Sequence, residues 1–106
     1  MRDMILRGAE NIYPIEIEHR LVEHPDIVDA AVIGVEHREL GQEVKAFVVL
    51  SEGATMTAPE AQQWVAAALA TYKVPAYVEF RETLPYTETG KVMKTALESE
   101  EAGTTP

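Results

Sequence analysis

Apolar residues recur at two spacings along the chain, and each spacing predicts a kind of element. Apolar runs at 27–35 and 43–50 are typical of buried strands, and the turn between them favours an antiparallel hairpin. Apolar positions three or four apart predict helices over 14–24 and 58–72, each with a proline in its first turn. Shorter patterns complete the series: a strand at 4–6, an extended piece at 10–13, a strand at 77–80 and a short helix at 91–98.

The order of these elements predicts an α+β fold, in which helices pack on a small three-stranded sheet that follows a short N-terminal β-hairpin. Residues 1–97 form one domain in this interpretation, because a chain of 106 residues suits a single small core. Thr57 and Glu60 have the spacing of a capping box at the start of the second helix, and Trp64 falls on its apolar stripe. The acidic segment 98–106 predicts a disordered tail.

Composition argues against several classes of function. The chain has no cysteine, which removes disulfides, thiolate metal sites and thiol catalysis, and it has no apolar stretch long enough to span a membrane. Eighteen acidic and nine basic residues give a net charge of -9, which repels nucleic acid. The lack of cysteine and of a secretory signal predicts a cytoplasmic location. The three histidines do not have the spacing of a metal pair, so no metal site is expected.

One local motif has features of an anion site. Gly90 and Lys91 stand at the start of the predicted last helix, where a glycine lets a ligand approach the backbone and free N–H groups favour an anion. A lysine at that place would strengthen the attraction. A Gly-Lys pair at the end of a loop is usually a solvated turn, however, so these two residues alone leave both interpretations open.

Four segments give this motif a context through their order and spacing: RDMILRGAENIYPIEIEHRLVEHPDIVDAAVIGV, GQEVKAFVVL, YKVPAYVEF and LPYTETGKVMKTAL. Together they resemble the C-terminal domain of the adenylate-forming acyl-CoA synthetases, over residues 2–97. This family includes fatty-acid and aryl-acid CoA ligases and is similar to luciferases and to the adenylation domains of peptide synthetases. The resemblance implies that the chain is a fragment whose partner is a large N-terminal nucleotide-binding domain.

The activity that the resemblance implies is that of an ATP-dependent carboxylic acid–CoA ligase, which works in two half-reactions. The carboxylate first attacks the α-phosphate of ATP, bound with Mg²⁺, to form acyl-AMP and pyrophosphate. The thiol of coenzyme A then attacks the acyl group, and AMP leaves. In this family the small domain rotates between the half-reactions and presents opposite faces to one active site.

The resemblance also assigns roles to individual positions. Lys91 matches the lysine of the adenylation step, and Pro85 and Gly90 shape the loop that carries it. Asp3 matches the hinge of the rotation. Lys73 lies in a segment where relatives often place basic residues, and it is a candidate contact for the phosphates of coenzyme A. The loop that enters the active site for thioester formation corresponds to Gly8, Ala9, Glu10 and Asn11.

One position of that loop departs from the family pattern. Many relatives have two consecutive glycines, whereas this chain has an alanine, Ala9, in the second place. An alanine fits there if its φ angle is negative, because only positive φ angles strain a residue with a Cβ atom. We therefore expect the loop to be intact.

Two alternatives stay open for the function. The chain could be the lid of an adenylation domain that loads a carrier protein, although RGAENIYPIEIE is more typical of the CoA ligases. It could also be a stand-alone, non-catalytic binding or interaction module of the same fold. The intact Gly90-Lys91 pair and the RGAEN loop favour catalysis over that second alternative, because a charge without a structural duty tends to be lost.

Overall fold

Five strands and three helices occur in residues 4–104, the part of the chain that this computed structural model describes. The predicted hinge at Asp3 lies outside these residues. The longest helix in the described part has 11 residues, which is too short to cross a bilayer. In chain order the elements are β1 (Ile5–Arg7), β2 (Glu10–Ile12), α1 (Pro14–Val22), β3 (Ile27–His37), β4 (Gly41–Leu50), α2 (Ala58–Ala66), a single 3₁₀ turn (Thr71–Lys73), β5 (Tyr77–Arg81) and α3 (Lys94–Thr104).

Strand β4 lies at the centre of the sheet. β3 pairs with it antiparallel along its whole length, from Ile27 opposite Leu50 to His37 opposite Gly41, which confirms the predicted hairpin. On the other side of β4, β5 runs parallel to it, and α2 lies in the crossover connection that a parallel pair requires. β1 joins that same side through Arg7 opposite Gly41, and β2 pairs with β1.

The predicted fold class is confirmed in part. The α+β class and the three-stranded unit of β3, β4 and β5 are present, but the N-terminal hairpin does not stand apart from the sheet. It extends the sheet to five strands. β5 begins its pairing with β4 at Lys45, so the first residues of β4 keep an open edge there, and β1 occupies it.

Helices cover both faces of the sheet. Ile17 and Leu21 of α1 and Val65 of α2 are buried on one face, and Leu97 of α3 is buried on the other. Successive residues of a strand point to opposite faces, and both faces of β4 are covered, so its apolar run is nearly continuous. The β4 residues on the first face are Val44, Ala46 and Val48, and those on the second face are Phe47 and Val49.

The second helix ends earlier than predicted. α2 begins as expected with the capping box, in which Thr57 and Glu60 each bond the other's backbone N–H, but it ends at Ala66 and not at residue 72. Leu69 and Tyr72 still pack against the core, from the turn that follows α2 and from the 3₁₀ turn. The apolar residues after Ala66 keep the helical spacing although the backbone there is no longer α-helical, which is why the predicted helix is too long.

Trp64 is half-buried and joins α1 to α2, whereas the sequence predicts a core residue. The guanidinium group of Arg20 lies 3.6 Å from the centre of its ring. The indole N–H donates to the Arg20 carbonyl at 2.7 Å, and Nε of Arg20 donates to the Trp64 carbonyl at 2.7 Å. Trp64 thus packs with its ring against Arg20 and uses its indole N–H as a hydrogen-bond donor, which a residue fully inside the core could not do without a polar partner there.

The last helix also differs from its predicted bounds. α3 begins at Lys94, three residues after Lys91, and continues to Thr104, so it includes most of the segment for which the sequence predicts disorder. An ion pair between Lys45 of β4 and Glu101 of α3, at 2.7 Å, holds this part of the helix on the sheet. The prediction of disorder treats the acidic residues of this segment as unpaired charges, whereas Glu101 has a cationic partner on the sheet.

Candidate functional site

The loop that carries Lys91 folds back on itself from Pro85 to Met93. Its base is closed where the Met93 N–H donates to the Pro85 carbonyl at 2.7 Å, beside an antiparallel bridge between Tyr86 and Val92. Because these backbone groups pair with one another, the chain forms a loop here and not the first turn of a helix. The predicted helix N-terminus at Lys91 is therefore wrong, because the last helix begins at Lys94.

Thr87 and Gly90 give the tip of this loop its shape. The Thr87 carbonyl accepts the Gly90 N–H at 2.9 Å, and its hydroxyl accepts the Lys91 N–H at 3.2 Å. The Thr87 N–H donates in turn to the Lys91 carbonyl at 2.7 Å. Gly90 has a φ of +87°, and no atom lies within 4 Å of the place of a Cβ atom. The turn therefore requires glycine for its backbone conformation and not for space.

The Lys91 side chain is exposed at this tip, and it differs from the other lysines of the chain. Lys45, Lys73 and Lys94 each pair with a glutamate, at 2.7, 2.8 and 2.7 Å. Through residue 101, where the described side chains end, no carboxylate pairs with the ammonium group of Lys91. Its charge is therefore available to a ligand or to another domain.

A hydrogen bond attaches this loop to β3. The Tyr86 hydroxyl donates to Oδ2 of Asp29, and Oδ1 of the same carboxylate accepts the Ala30 N–H at 2.9 Å. The hydrogen bond, followed by desolvation and by the negative charge of Asp29, raises the pKa of Tyr86 to about 12. The phenol therefore stays a protonated donor at neutral pH.

We expect Tyr86 to titrate in strongly alkaline solution, near pH 12. Its raised pKa means that the protonated phenol is favoured by folding, so this stabilisation is complete below pH 10 and is lost as the pH rises through about 12. Ultraviolet absorbance of the phenolate follows the titration. Tyr86→Phe should remove the absorbance phase near pH 12, and persistence of that phase in the variant would contradict the assignment.

The second predicted segment contains the two-residue turn of the β1–β2 hairpin. Gly8 and Ala9 connect Arg7 to its partner Glu10, and the Gly8 N–H donates to the carbonyl of Leu40 at 2.7 Å. Gly8 has a φ of +60°, whereas the φ of Ala9 is not positive, which suits a hairpin turn with glycine in its first place. The alanine therefore fits without strain, and the tip of the turn is exposed.

A partly buried ion pair fixes the base of this hairpin. Glu43 of β4 is 6% exposed, and its carboxylate oxygens lie 2.9 and 3.1 Å from Nε of Arg7. It also accepts the Val44 N–H at 2.8 Å, and Arg7 reaches Glu10 at 3.4 Å. Asn11 follows on β2 with an exposed side chain. Sequence reasoning missed the Arg7–Glu43 pair, although an acidic residue in an apolar strand is a signal for a buried partner.

Lys73, the candidate contact for the phosphates of coenzyme A, is already paired within the chain. Its ammonium group lies 2.8 Å from Oε1 of Glu16 on α1. This hydrogen bond outweighs the opposing effect of desolvation and raises the pKa of Lys73. A phosphate would have to compete with Glu16 for the charge, so the geometry does not present Lys73 as a free cation.

The two predicted segments lie at opposite ends of the β3–β4 hairpin. The Lys91 loop is attached at Asp29, near the beginning of β3, whereas Gly8 contacts the turn that follows His37 at its end. The part of β3 between Asp29 and His37 spans about 25 Å at the usual rise per residue. The structure therefore places Gly8, Ala9, Glu10 and Asn11 together and keeps Lys91 apart from them.

Two of the three histidines take part in turns, and His19 lies on α1. Nδ1 of His24 accepts the Asp26 N–H at 3.0 Å, and Nδ1 of His37 accepts the Leu40 N–H at 3.1 Å. In the part of the chain that the structure describes, no three histidine or acidic side chains are placed to hold a metal ion.

Comparisons with known proteins place the chain in a family. The AMP-binding enzyme C-terminal domain matches residues 16–91. The chain is 45% identical to the medium-chain acyl-CoA ligase ACSF2 of Danio rerio over 94 residues, which are 89% of this chain and 16% of that ligase. It is 44% identical to a long-chain-fatty-acid–CoA ligase of Bacillus subtilis over 100 residues, which are 94% of this chain and 18% of that ligase.

Solved structures agree with the sequence comparisons. A fatty acyl CoA synthetase of Mycobacterium tuberculosis has the same fold with a TM-score of 0.89 and 36% identity, covering 98% of this chain and 20% of that one. The chain thus spans a fifth or less of the length of these relatives. Sequence and fold together show that the chain belongs to the AMP-binding enzyme C-terminal domain family of the acyl-CoA synthetases and ligases.

Proposed function

We propose that this chain is the mobile C-terminal domain of an ATP-dependent carboxylic acid–CoA ligase and that it supplies a different loop to each half-reaction. The observation that carries the proposal is the separation of the Lys91 loop and the Gly8 turn, at opposite ends of the β3–β4 hairpin. One active site can use both only if the domain turns between the half-reactions. In this proposal the sites for ATP and the acid lie in a larger N-terminal domain of the full-length protein.

In the first half-reaction the Lys91 loop enters the active site. The ammonium group would lie between the substrate carboxylate and the α-phosphate of ATP, two anions that repel each other. A cation there lowers the repulsion and offsets the charge that builds on the phosphoryl oxygens as pyrophosphate leaves, in addition to the charge that Mg²⁺ neutralises. Lys91 suits this role because it is exposed at the loop tip and has no acidic partner among the described residues.

In the second half-reaction a different segment replaces the Lys91 loop in the active site. It is the turn formed by Gly8, Ala9, Glu10 and Asn11. The thiol of coenzyme A loses its proton and attacks the acyl carbon, and the bond from that carbon to the phosphate oxygen of AMP breaks. A glycine in a narrow turn lets the thiol-bearing chain of coenzyme A pass close to the backbone. The Arg7–Glu43 pair holds the base of the turn while its tip stays exposed.

The rotation between these states needs a hinge, and we place it at Asp3, outside the described residues. A change of φ and ψ at one residue can turn a whole domain. Lys73 could contact the phosphates of coenzyme A in the second state, but its pair with Glu16 would have to open first. The ammonium charge of Lys73 would then be compensated by Glu16 in the first state and by a phosphate of coenzyme A in the second.

The full-length protein tests this proposal. With ATP, Mg²⁺, coenzyme A and a panel of carboxylic acids, it should release pyrophosphate and form a CoA thioester with at least one acid. Transfer of the acyl group to a carrier protein and not to coenzyme A would change the assigned acceptor. Absence of pyrophosphate release with every acid would contradict the proposal.

The isolated chain of 106 residues is the control for that experiment. We expect it to release no pyrophosphate, because in this proposal it lacks the sites that bind ATP and the acid. Turnover by the isolated chain would show that these sites lie within it and would remove the need for a partner domain.

A further inference from the structure

The Lys91 loop is held to the sheet by one polar side-chain contact. Within the described residues, the side chains of 85–93 make hydrogen bonds inside the loop and one hydrogen bond to another element, from Tyr86 to Asp29 of β3. Tyr86 forms the backbone bridge with Val92, which is the next residue after Lys91. The position of the Tyr86 side chain therefore affects the direction in which the loop leaves the sheet.

Asp29 is oriented to receive this hydrogen bond. The register between β3 and β4 shifts between Ile27 and Asp29, a bulge that leaves Val28 without a partner and bends the strand locally. Oδ1 of Asp29 accepts the Ala30 N–H at 2.9 Å, so Oδ2 is left for the phenol. The raised pKa of Tyr86, about 12, agrees with a phenol that donates to this carboxylate at neutral pH.

The same hydrogen bond contributes little to the stability of the domain. Tyr86 is 42% exposed, so loss of its hydroxyl group leaves no buried polar atom without a partner. Leu84 and Leu97, which are buried in the core on this face of the sheet, hold the chain on either side of the loop. The hydrogen bond between Tyr86 and Asp29 thus affects the direction of the loop more than the stability of the domain.

We propose that Tyr86 and Asp29 are positioning residues for Lys91, which hold its loop at the angle that brings the ammonium group to the reacting phosphate. The inference rests on the proposed function of Lys91, and neither residue touches the reacting atoms. Catalysis by a fixed charge depends on its placement, and a misplacement of about 1 Å can cost on the order of a hundredfold in rate. Without the hydrogen bond the loop would occupy several angles, and Lys91 would be in place for a smaller fraction of the time.

Tyr86→Phe in the full-length protein removes the hydroxyl group and keeps the ring. We expect kcat for pyrophosphate release to fall on the order of tenfold, while the KM for ATP stays within about twofold and thioester formation from supplied acyl-adenylate is unchanged. The midpoint of thermal unfolding should change little, because the hydrogen bond is exposed. Tyr77→Phe is the matched control, because Tyr77 of β5 is 49% exposed and makes no side-chain hydrogen bond within the described residues.

Asp29→Asn tests the pair from the other side. Asparagine keeps an oxygen for the Ala30 N–H, but the group that then faces Tyr86 is an amide NH2, which cannot accept the phenol O–H, so this variant should slow pyrophosphate release as Tyr86→Phe does. The double variant should show little additional loss, because both changes break the same contact. Equal slowing of both half-reactions, or unchanged pyrophosphate release in Tyr86→Phe, would overturn the inference.

Lys91→Ala separates this inference from the function on which it rests. If Lys91→Ala slows adenylate formation and Tyr86→Phe does not, the positioning role fails and the role of Lys91 stands. If neither variant slows adenylate formation, the proposed function of the loop fails as well.

Discussion

Lys91→Ala in the full-length protein should slow acyl-adenylate formation by about two to three orders of magnitude, the loss typical of removing one group that stabilises charge in the transition state. Thioester formation from supplied acyl-adenylate should stay within about twofold of the unmodified protein, because the Gly8 turn lies at the other end of the β3–β4 hairpin. Pyrophosphate release measures the first half-reaction, and the appearance of the CoA thioester measures the second.

Glu88→Gln is the matched control for this variant, because Glu88 is an exposed charge in the same loop. It should leave both half-reactions unchanged. Lys91→Ala should also leave the free energy of unfolding unchanged, since the side chain is exposed and has no partner among the described residues. An equal loss of both half-reactions in Lys91→Ala would contradict a role in adenylation alone.

Gly8→Val should give the opposite pattern, with thioester formation slowed on the order of a hundredfold and adenylate formation unchanged. At a φ of +60° a residue with a Cβ atom is strained by about 1–2 kcal/mol, and a β-branched residue is a stronger outlier. Space is not the obstacle, because a Cβ atom would lie 3.6 Å from Cδ2 of Leu40, an ordinary contact. The turn therefore changes conformation at its tip, where the thiol must pass.

Gly53→Val is the control for backbone strain. Gly53 has a φ of +82°, and no atom lies within 4 Å of the place of its Cβ atom, so the substitution strains the backbone in a similar way in the loop after β4. It should lower the free energy of unfolding and leave both half-reactions unchanged. If Gly53→Val slows thioester formation as much as Gly8→Val does, the loss comes from stability and not from the turn.

Much of the sheet could be predicted from the sequence, because burial on both faces leaves a simple pattern. β3 and β4 are continuous apolar runs joined by a short turn, and helices on both sides of the sheet explain why. The start of α2 was predictable for a different reason, since the capping box of Thr57 and Glu60 is a local interaction. Local signals of this kind do not depend on the rest of the fold.

The contacts that orient the two loops could not be predicted. Arg7 and Glu43 are 36 positions apart in the chain, and Tyr86 and Asp29 are 57 apart, so nothing in either neighbourhood specifies the partner. The start of α3 was missed for a related reason. The backbone near Lys91 pairs within its own loop, and helical spacing of side chains does not reveal that competition.

The rotation is tested most directly by measuring which end of the domain faces the active site in each half-reaction. Arg38, in the turn after β3 beside Gly8, and Glu88, beside Lys91, are exposed and can each be replaced by a labelled cysteine. This chain has no cysteine of its own, and accessible cysteines in the remainder of the full-length protein would be replaced first. Resonance energy transfer to a fluorescent nucleotide in the N-terminal domain then reports the distance from each end.

We expect the label at Glu88 to be the nearer one with an unreactive ATP analogue and the acid bound. With an unreactive acyl-adenylate analogue and coenzyme A, the label at Arg38 should be the nearer one. The distance from each label to the nucleotide should change between the two states by an amount of the order of the separation between the two ends of β3, about 25 Å. Two labels that keep the same distances from the nucleotide in both states would contradict a domain that turns to present one loop at a time.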